Sequence, residues 1–247
     1  MGRFTEYYDA LSAFGVLNFT SLEESGEAHF LDAFARRVRV PVVFDVGANV
    51  GDYTRQVLTR SPLAHVFAFE PHPRTFMRLA GFLADPQVTA LNLALGDRKG
   101  ELEIFDYRDN DGTCHASPYR EVIETLHHAP AVAHRVRAST VAEICADYDL
   151  RHIDLLKIDT EGYEYAVLQG AEPMIRDGRV DVIHFEFNEM NVISRRFFKD
   201  FWDFLPEYDF FRLLPGEVLP LRQYVPSHCE IFAFQNIVCT RKDRPLF

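Results

Sequence analysis

Short apolar runs in this chain end in carboxylates, glycines and amides, and the spacing of those residues limits the chemistry open to them. One run leads into Asp45-Val46-Gly47-Ala48-Asn49-Val50-Gly51 and then Asp52-Tyr53-Thr54. Gly47 and Gly51 let backbone pass close to a ligand, because a Cβ would collide there and positive φ costs glycine little. Counted from Gly47, the dinucleotide fingerprint G-x-G-x-x-G meets Asn49 at its second glycine and Asp52 at its third. A pyrophosphate at this helix start would face the Asp52 carboxylate, against the usual anion preference there. The loop therefore argues against a nicotinamide dinucleotide and suits a ligand with a cationic centre and no phosphate. Phe69-Glu70-Pro71 closes the next run, and an acid there can accept hydrogen bonds from both vicinal hydroxyls of a ribose. Asn92-Leu93-Ala94-Leu95-Gly96-Asp97 closes a third run and is placed to touch an adenine edge. Together these signals describe an adenosine pocket.

Such residues need rigid elements behind them. Strands are expected at 42–47, 65–70, 88–95, 100–107, 153–159 and 180–187, with two more near 210–214 and 231–240 joined by a Pro-containing loop. Helices are expected at 27–38, 52–60, 73–84, 139–147 with Ser139 as cap, 163–169 and 195–204. Alternation of strand and helix implies a mostly parallel sheet covered on both faces, with ligands at the carboxyl ends of its strands. The two closing strands suggest an antiparallel edge hairpin. Residues 1–40 read as an N-terminal helical extension, and 41–247 as one domain with an inserted loop region near 108–137. That loop carries His115, His127, His128 and His134; a stretch this long without structure is usually a lid or a mobile insertion.

Composition narrows the field further. The 247 residues carry 26 basic and 37 acidic side chains, a formal net charge of −11. Phosphate neutralisation needs clustered Lys and Arg, so neither nucleic acid nor an anionic membrane surface is an expected partner. No apolar run approaches the roughly 20 residues of a membrane helix. The start lacks a basic segment followed by an apolar one, and Glu6 stands where myristoylation wants Ser or Thr. A cytoplasmic location follows as the expectation. Cys114, Cys145, Cys229 and Cys239 are scattered without a CxxC pair, which argues against structural zinc and a disulfide scaffold.

DVGANVG, FEP, NLALGD, LLKIDTEGYEYAVLQGA and HFEF, spread over roughly 42–188, together resemble the FkbM-type methyltransferases, which use S-adenosylmethionine. The resemblance implies a Rossmann-like class I methyltransferase fold: a mostly parallel seven-stranded sheet, helices on both faces, and an antiparallel edge hairpin. In that family the first loop holds the methionine part, the acid after the second strand holds ribose, and the loop after the third meets adenine. Carried over by position, this assigns Asp45, Gly47, Asn49 and Gly51, then Glu70, then Asn92 and Ala94. Ala48, Pro71 and Asp159 complete the expected cofactor contacts, with Tyr53 and Thr54 just beyond the first loop. The family mostly methylates hydroxyls of sugars and polyketide-like natural products, so the expected partner is a small hydroxylated acceptor, a sugar above all.

Methyl transfer to a hydroxyl is an in-line displacement that gains from alignment and from a general base. Lys157 and Asp159 point to one face of their strand, so Lys157 can neutralise Asp159 or meet a carboxylate of the cofactor. Glu161 lies at the strand tip, and Glu164 in the first turn of the next helix, where an acid is also favoured by the helix dipole. His184, Glu186 and Asn188 share a face of 180–187 and its continuation. The expected catalytic residues are Asp159 or Glu186 as the group that orients or deprotonates the hydroxyl, Glu161 shaping the site, and His115 as an alternative base. Asp159 with Glu186 or Asn188 could hold Mg²⁺, but their spacing does not require it and no metal ligands are assigned. Phe197, Phe198, Phe201, Trp202 and Phe204 read chiefly as core. The stripe and the N-terminal helix could also bury against a second copy in a homodimer. Methylation of nitrogen or carbon, and a non-catalytic S-adenosylmethionine-binding protein, are the alternative readings.

Overall fold

The helical extension expected before residue 41 holds two helices, α1 (Gly2–Ala13) and α2 (Glu27–Arg37), the second matching the period read at 27–38 and burying Phe30, Leu31 and Phe34 along one stripe. The computed structural model describes residues 2–81 and 85–247. Two units are formed, one of residues 39–181 and one of residues 1–38 with 182–247.

In the 39–181 unit, β1 (Val42–Val46) and β2 (His65–Phe69) are buried on both faces, as continuous apolar runs of a parallel sheet should be. Between them lies α3 (Asp52–Arg60), which starts from Gly51 in the left-handed region at φ 88°. Pro73 opens α4 (Pro73–Leu79), where the missing N–H costs nothing. The helix expected at 73–84 is therefore shorter, and its last three positions lie outside the described residues.

The run 88–95 is not one strand. It divides into β3 (Val88–Leu91) and β4 (Ala94–Leu95). Between them, Asn92 Nδ2 donates to the carbonyls of Glu70 and Pro71, at 2.8 and 2.9 Å. Those bonds tie the chain to the end of β2, and β4 joins a second sheet. There β5 (Gly100–Tyr107) pairs antiparallel with β6 (Ala131–Ser139) over eight positions, in the order β4-β6-β5. The region near 108–137 is thus not all loop: it holds a π-helical turn, Val122–Leu126, and most of β6. Arg135 and Arg137 interrupt the apolar pattern because the 133–135–137 face of β6 is open to solvent, while His134 shares the more buried face with Val136.

Thr140, not Ser139, caps α5 (Val141–Asp147), accepting from the Glu143 N–H at 3.1 Å. Ser139 ends β6 and donates to Glu143 Oε2. β7 (Ile153–Ile158) and α6 (Glu164–Arg176) follow, giving a parallel run in the order β7-β1-β2-β3.

β8 (Val180–Phe187) leads into the other unit, where the strands are antiparallel in the order β10-β9-β11-β8. The helix expected at 195–204 becomes α7 (Met190–Ser194) and α8 (Phe198–Phe204), separated at Arg195, whose φ is 54°. The closing strands number three: β9 (Tyr208–Leu214), β10 (Glu217–Leu221), which the Pro-containing stretch concealed, and, after α9 (Pro226–Cys229), β11 (Gln235–Arg241). Phe198 and Phe201 are core, Trp202 and Phe204 are half-buried with Trp202 stacked on Phe210, and Phe197 is exposed.

Candidate active site

Adjacent parallel strands put Asp45 of β1 in register with Lys157 of β7. Asp45 is wholly buried, and its Oδ2 accepts from Thr54 Oγ1 at 2.6 Å. Its Oδ1 has no hydrogen-bond partner among the described residues and lies 3.9 Å from Lys157 Nζ. Burial pushes the Asp45 carboxyl up, against the opposing pull of the Lys157 charge and the Thr54 hydroxyl. Lys157 Nζ donates to Asp159 Oδ2 at 3.0 Å and stands 5.2 Å from the centre of the Tyr53 ring. Two carboxylates against one ammonium leave this row negative.

Thr54 and Tyr53 were expected beside the ligand. Both are buried, and both act on the row itself. Gly47 also has a different first reason than the one read from sequence. At φ +80°, a Cβ there would overlap the carbonyl oxygen of Asp159, so the glycine is needed for β1 and β7 to end side by side. Gly47 and Ala48 direct their N–H groups to the Phe69 carbonyl, at 3.0 and 2.9 Å. Asn49 follows in the left-handed region at φ 48°, a conformation that its short amide tolerates.

Glu70 is 6% exposed. Its Oε2 accepts from the Asn49 N–H at 2.9 Å and its Oε1 from the His72 N–H at 2.8 Å. Burial outweighs those bonds and raises the carboxyl to about 7. Each oxygen still has acceptor capacity for a ligand hydroxyl. Asn92 has both Nδ2 hydrogens engaged by backbone carbonyls, so its role in this structure is to hold the Glu70–Pro71 turn. The side chain of Ala94 packs with Ile104 and Val136 in the core of the small sheet, which leaves its backbone for the adenine contact read from sequence. Pro71 and Asn92 border an open cavity of about 330 Å³ with Pro73, Arg135, Val136 and Arg137.

After β7 the loop turns through Glu161, at φ 53°, a position where a branched or long side chain is rarely found. Its carbonyl accepts from the buried Ser117 hydroxyl at 2.7 Å, and its Oε1 lies 3.4 Å from His115 Nδ1. His115 is pushed up to about 10 by hydrogen bonding to Cys114 and then to Glu161. That direction weakens the case for His115 as the alternative base and sets its ring beside the Glu161 carboxylate. His127, from the same inserted region, stacks on Tyr107 and pairs its Nδ1 with the phenol at 2.6 Å.

Glu164 is the residue that sequence reasoning left undecided. It is 1% exposed, and its Oε1 accepts from the N–H groups of Thr160 and Gly162 and from Thr160 Oγ1. Its Oε2 has no hydrogen-bond partner among the described residues. Burial raises the carboxyl to about 7. Glu164 therefore shapes the 159–162 turn from beneath; the signal for it was an acid at N1 beside a Gly-containing turn.

In the other unit, Glu186 is half-buried and its Oε2 accepts from Asn188 Nδ2 at 3.4 Å. His184 is buried, paired with Asn236 Oδ1 at 2.9 Å and set edge-on to Phe30. It is a core histidine.

Residues 45–211 match the methyltransferase FkbM domain. The AMB antimetabolite synthetase AmbE of Pseudomonas aeruginosa is 32% identical over 162 residues, 53% of this chain and 8% of that protein. The 2-O-methyltransferase NoeI of Sinorhizobium fredii is 25% identical over 199 residues, covering 72% of this chain and 78% of its own. The methyltransferase sdnD of Sordaria araneosa is 29% identical over 157 residues, 53% of this chain and 61% of that one. The chain thus spans less than two thirds of AmbE and of sdnD. Among solved structures, the methyltransferase FkbM from Methylobacillus flagellatus KT superposes with a TM-score of 0.48 at 12% identity, over 81% of this chain and 44% of that one. No helix among the described residues is long and apolar enough to cross a membrane. With the domain match covering the strand ends built from Asp45, Glu70 and Asp159, the chain belongs to the FkbM family of S-adenosylmethionine-dependent methyltransferases.

Proposed function

We propose that the protein is an O-methyltransferase that methylates a hydroxyl of a small acceptor, a sugar or a glycosylated natural-product intermediate. The observation that carries this reading is the negative row at the ends of β1 and β7, Asp45–Lys157–Asp159, with Glu70 at the end of the neighbouring strand. The residues fit S-adenosylmethionine: the orphaned, buried Asp45 Oδ1 and the excess of carboxylate over ammonium suit a cationic ligand. The relative NoeI, named as a 2-O-methyltransferase, supports oxygen as the acceptor atom.

When bound, the cofactor supplies an electrophilic methyl group and a neutral thioether leaving group. Glu70 would accept the ribose hydroxyls, and the backbone of 47–51 would hold the amino-acid part. Pro71 and the 92–94 turn would flank the base. Asp159 or Glu186 would orient the acceptor hydroxyl and take its proton. Glu161, with the His115 ring beside it, would shape the approach. The reading keeps the protein in the cytoplasm, which the four unpaired thiols support. It also includes a homodimer, supported by exposed Phe4, Tyr7 and Tyr8 on α1.

Titration with S-adenosylhomocysteine, with NAD as control ligand, tests the pocket; binding of the first alone is expected. Radiolabelled methyl transfer to a panel of hydroxylated and amine acceptors then tests the reaction. Asp159→Asn or Glu186→Gln should lower turnover on a hydroxyl acceptor about 100-fold. Turnover on amines, unaffected by either substitution, would replace O-methylation with N-methylation. Failure to bind S-adenosylhomocysteine would defeat the reading at its root.

A further inference from the structure

His72, Asp111 and His134 come from the turn before α4, the segment after β5, and β6, yet their side chains converge. His72 Nε2 and His134 Nε2 each lie 2.8 Å from one and the same oxygen, Asp111 Oδ1. The three atoms lie within 4.8 Å of one another, and the two rings stand 4.5 Å apart at 73°. His72 is wholly buried.

His72 and Asp111 are each oriented by a further contact. His72 Nδ1 lies 3.4 Å from the hydroxyl of buried Thr75, which can accept its proton. Arg74 Nε holds the other oxygen of Asp111 at 3.2 Å. A second carboxylate oxygen, Asp106 Oδ2, lies 3.8 Å from His72 Nε2 and is itself fixed by the N–H groups of Gly112 and Thr113, both at 2.8 Å. Two imidazoles and a carboxylate, with the outer nitrogen of one imidazole and the outer oxygen of the carboxylate anchored, form a donor set that suits zinc and its first-row neighbours rather than magnesium or calcium. Donor atoms about 3 Å apart also match the edges of a coordination sphere with bonds of about 2 Å.

We propose that His72, Asp111 and His134 bind one divalent first-row metal ion of the Zn²⁺ class. The ion is structural in place: it pins the 106–113 segment and β6 to the turn after β2. The same His72 donates its N–H to Glu70 Oε1, so the ion stiffens the turn that carries the ribose-binding acid. A second group of potential ligands, His152, Asp154 and Asp181, brings only one imidazole, and Asp154 is already engaged by the Val42 N–H. It serves as an internal control.

The test uses tag-free, full-length protein stripped with a chelator and titrated calorimetrically with Zn²⁺ alone. One equivalent per chain is expected, with affinity weakened at least 10-fold by His134→Gln and unchanged by His152→Gln. Circular dichroism checks that both variants fold. His134 is partly exposed, which favours a folded variant; in addition, His134→Cys loaded with Co²⁺ should show a thiolate-to-metal charge-transfer band absent from the wild type. No saturable binding, equal affinity in wild type and His134→Gln, loss of binding in His152→Gln instead, or a His134→Cys protein without that band would each overturn the proposal. None of these readouts uses S-adenosylmethionine or an acceptor, so their failure leaves the methyl-transfer reading standing.

Discussion

The strand-end site and the stretch from the end of β5 to Asp111 both hold carboxylates away from solvent, and they treat them in opposite ways. Asp106 is wholly buried and accepts from the N–H groups of Tyr107, Gly112 and Thr113 and from the Thr113 hydroxyl. Asp111 is held below the usual carboxylate range: its burial works against that, but the imidazoles of His72 and His134 prevail. At the strand ends the donors run short. Asp45 and Glu164 each keep one buried oxygen without a hydrogen bond among the described residues, and Asp45, Glu70 and Glu164 are all pushed upward by burial. Buried acceptors are normally satisfied. Asp106, with donors on both oxygens, folds its loop, whereas Asp45 keeps a buried oxygen for a ligand.

The largest effects should separate the two kinds. Asp106→Ala leaves three backbone N–H groups without their acceptor and should cost about 4 kcal/mol in urea denaturation. Asp45→Asn keeps the shape and relieves a desolvated charge, so its loss of stability should be well under half of that while S-adenosylhomocysteine affinity falls at least 10-fold. Equal destabilisation by the two substitutions would break the distinction. Gly47→Ala comes next: overlap with the Asp159 carbonyl and a left-handed φ together should cost about 3 kcal/mol, with a matching drop in melting temperature.

The pH dependence of stability sharpens the same contrast. Glu164 sits at about 7 when folded, against an ordinary value of 4.5. A carboxyl raised by folding binds its proton more tightly in the native state, so its stabilisation is complete below about 4.5 and is lost as pH rises through about 7. Denaturation midpoints should fall across that window. Glu164→Gln should flatten the fall, leaving the part due to Glu70, which is raised to about 7 in the same way. An unchanged slope in Glu164→Gln would show that its carboxylate is better solvated than its burial indicates. The smallest effect is Thr140→Ala, which removes the α5 cap for about 1 kcal/mol and should leave ligand binding untouched.

How far each region was legible follows from where its partners lie in the chain. Glu164 and the turn it supports are four residues apart or fewer, and an acid after a Gly-containing turn is a local signal. The split of 88–95 was not legible, because it depends on Asn92 reaching carbonyls of residues 70 and 71. The place of Ala94 in the small sheet was hidden for the same reason. β6 was hidden because a strand with one wet face and several charges carries too little apolar alternation to stand out. Asp111 with its two histidines was invisible: the three residues are far apart in the chain, and only the β5–β6 pairing and the end of β2 bring them to one point.

By itself, the sequence determined the alternation of parallel strands and helices, the family motifs and the strand-end acids Asp45, Glu70 and Asp159, since these rest on periodicity and on contacts within a turn. Tertiary structure alone decided that Gly47 makes room for a neighbouring carbonyl, that Thr54 and Lys157 divide the two oxygens of Asp45, that His115 comes to lie beside Glu161, and that His72, Asp111 and His134 meet. Those outcomes depend on burial and on distances between residues remote in the chain, and neither quantity exists until the sheets have formed.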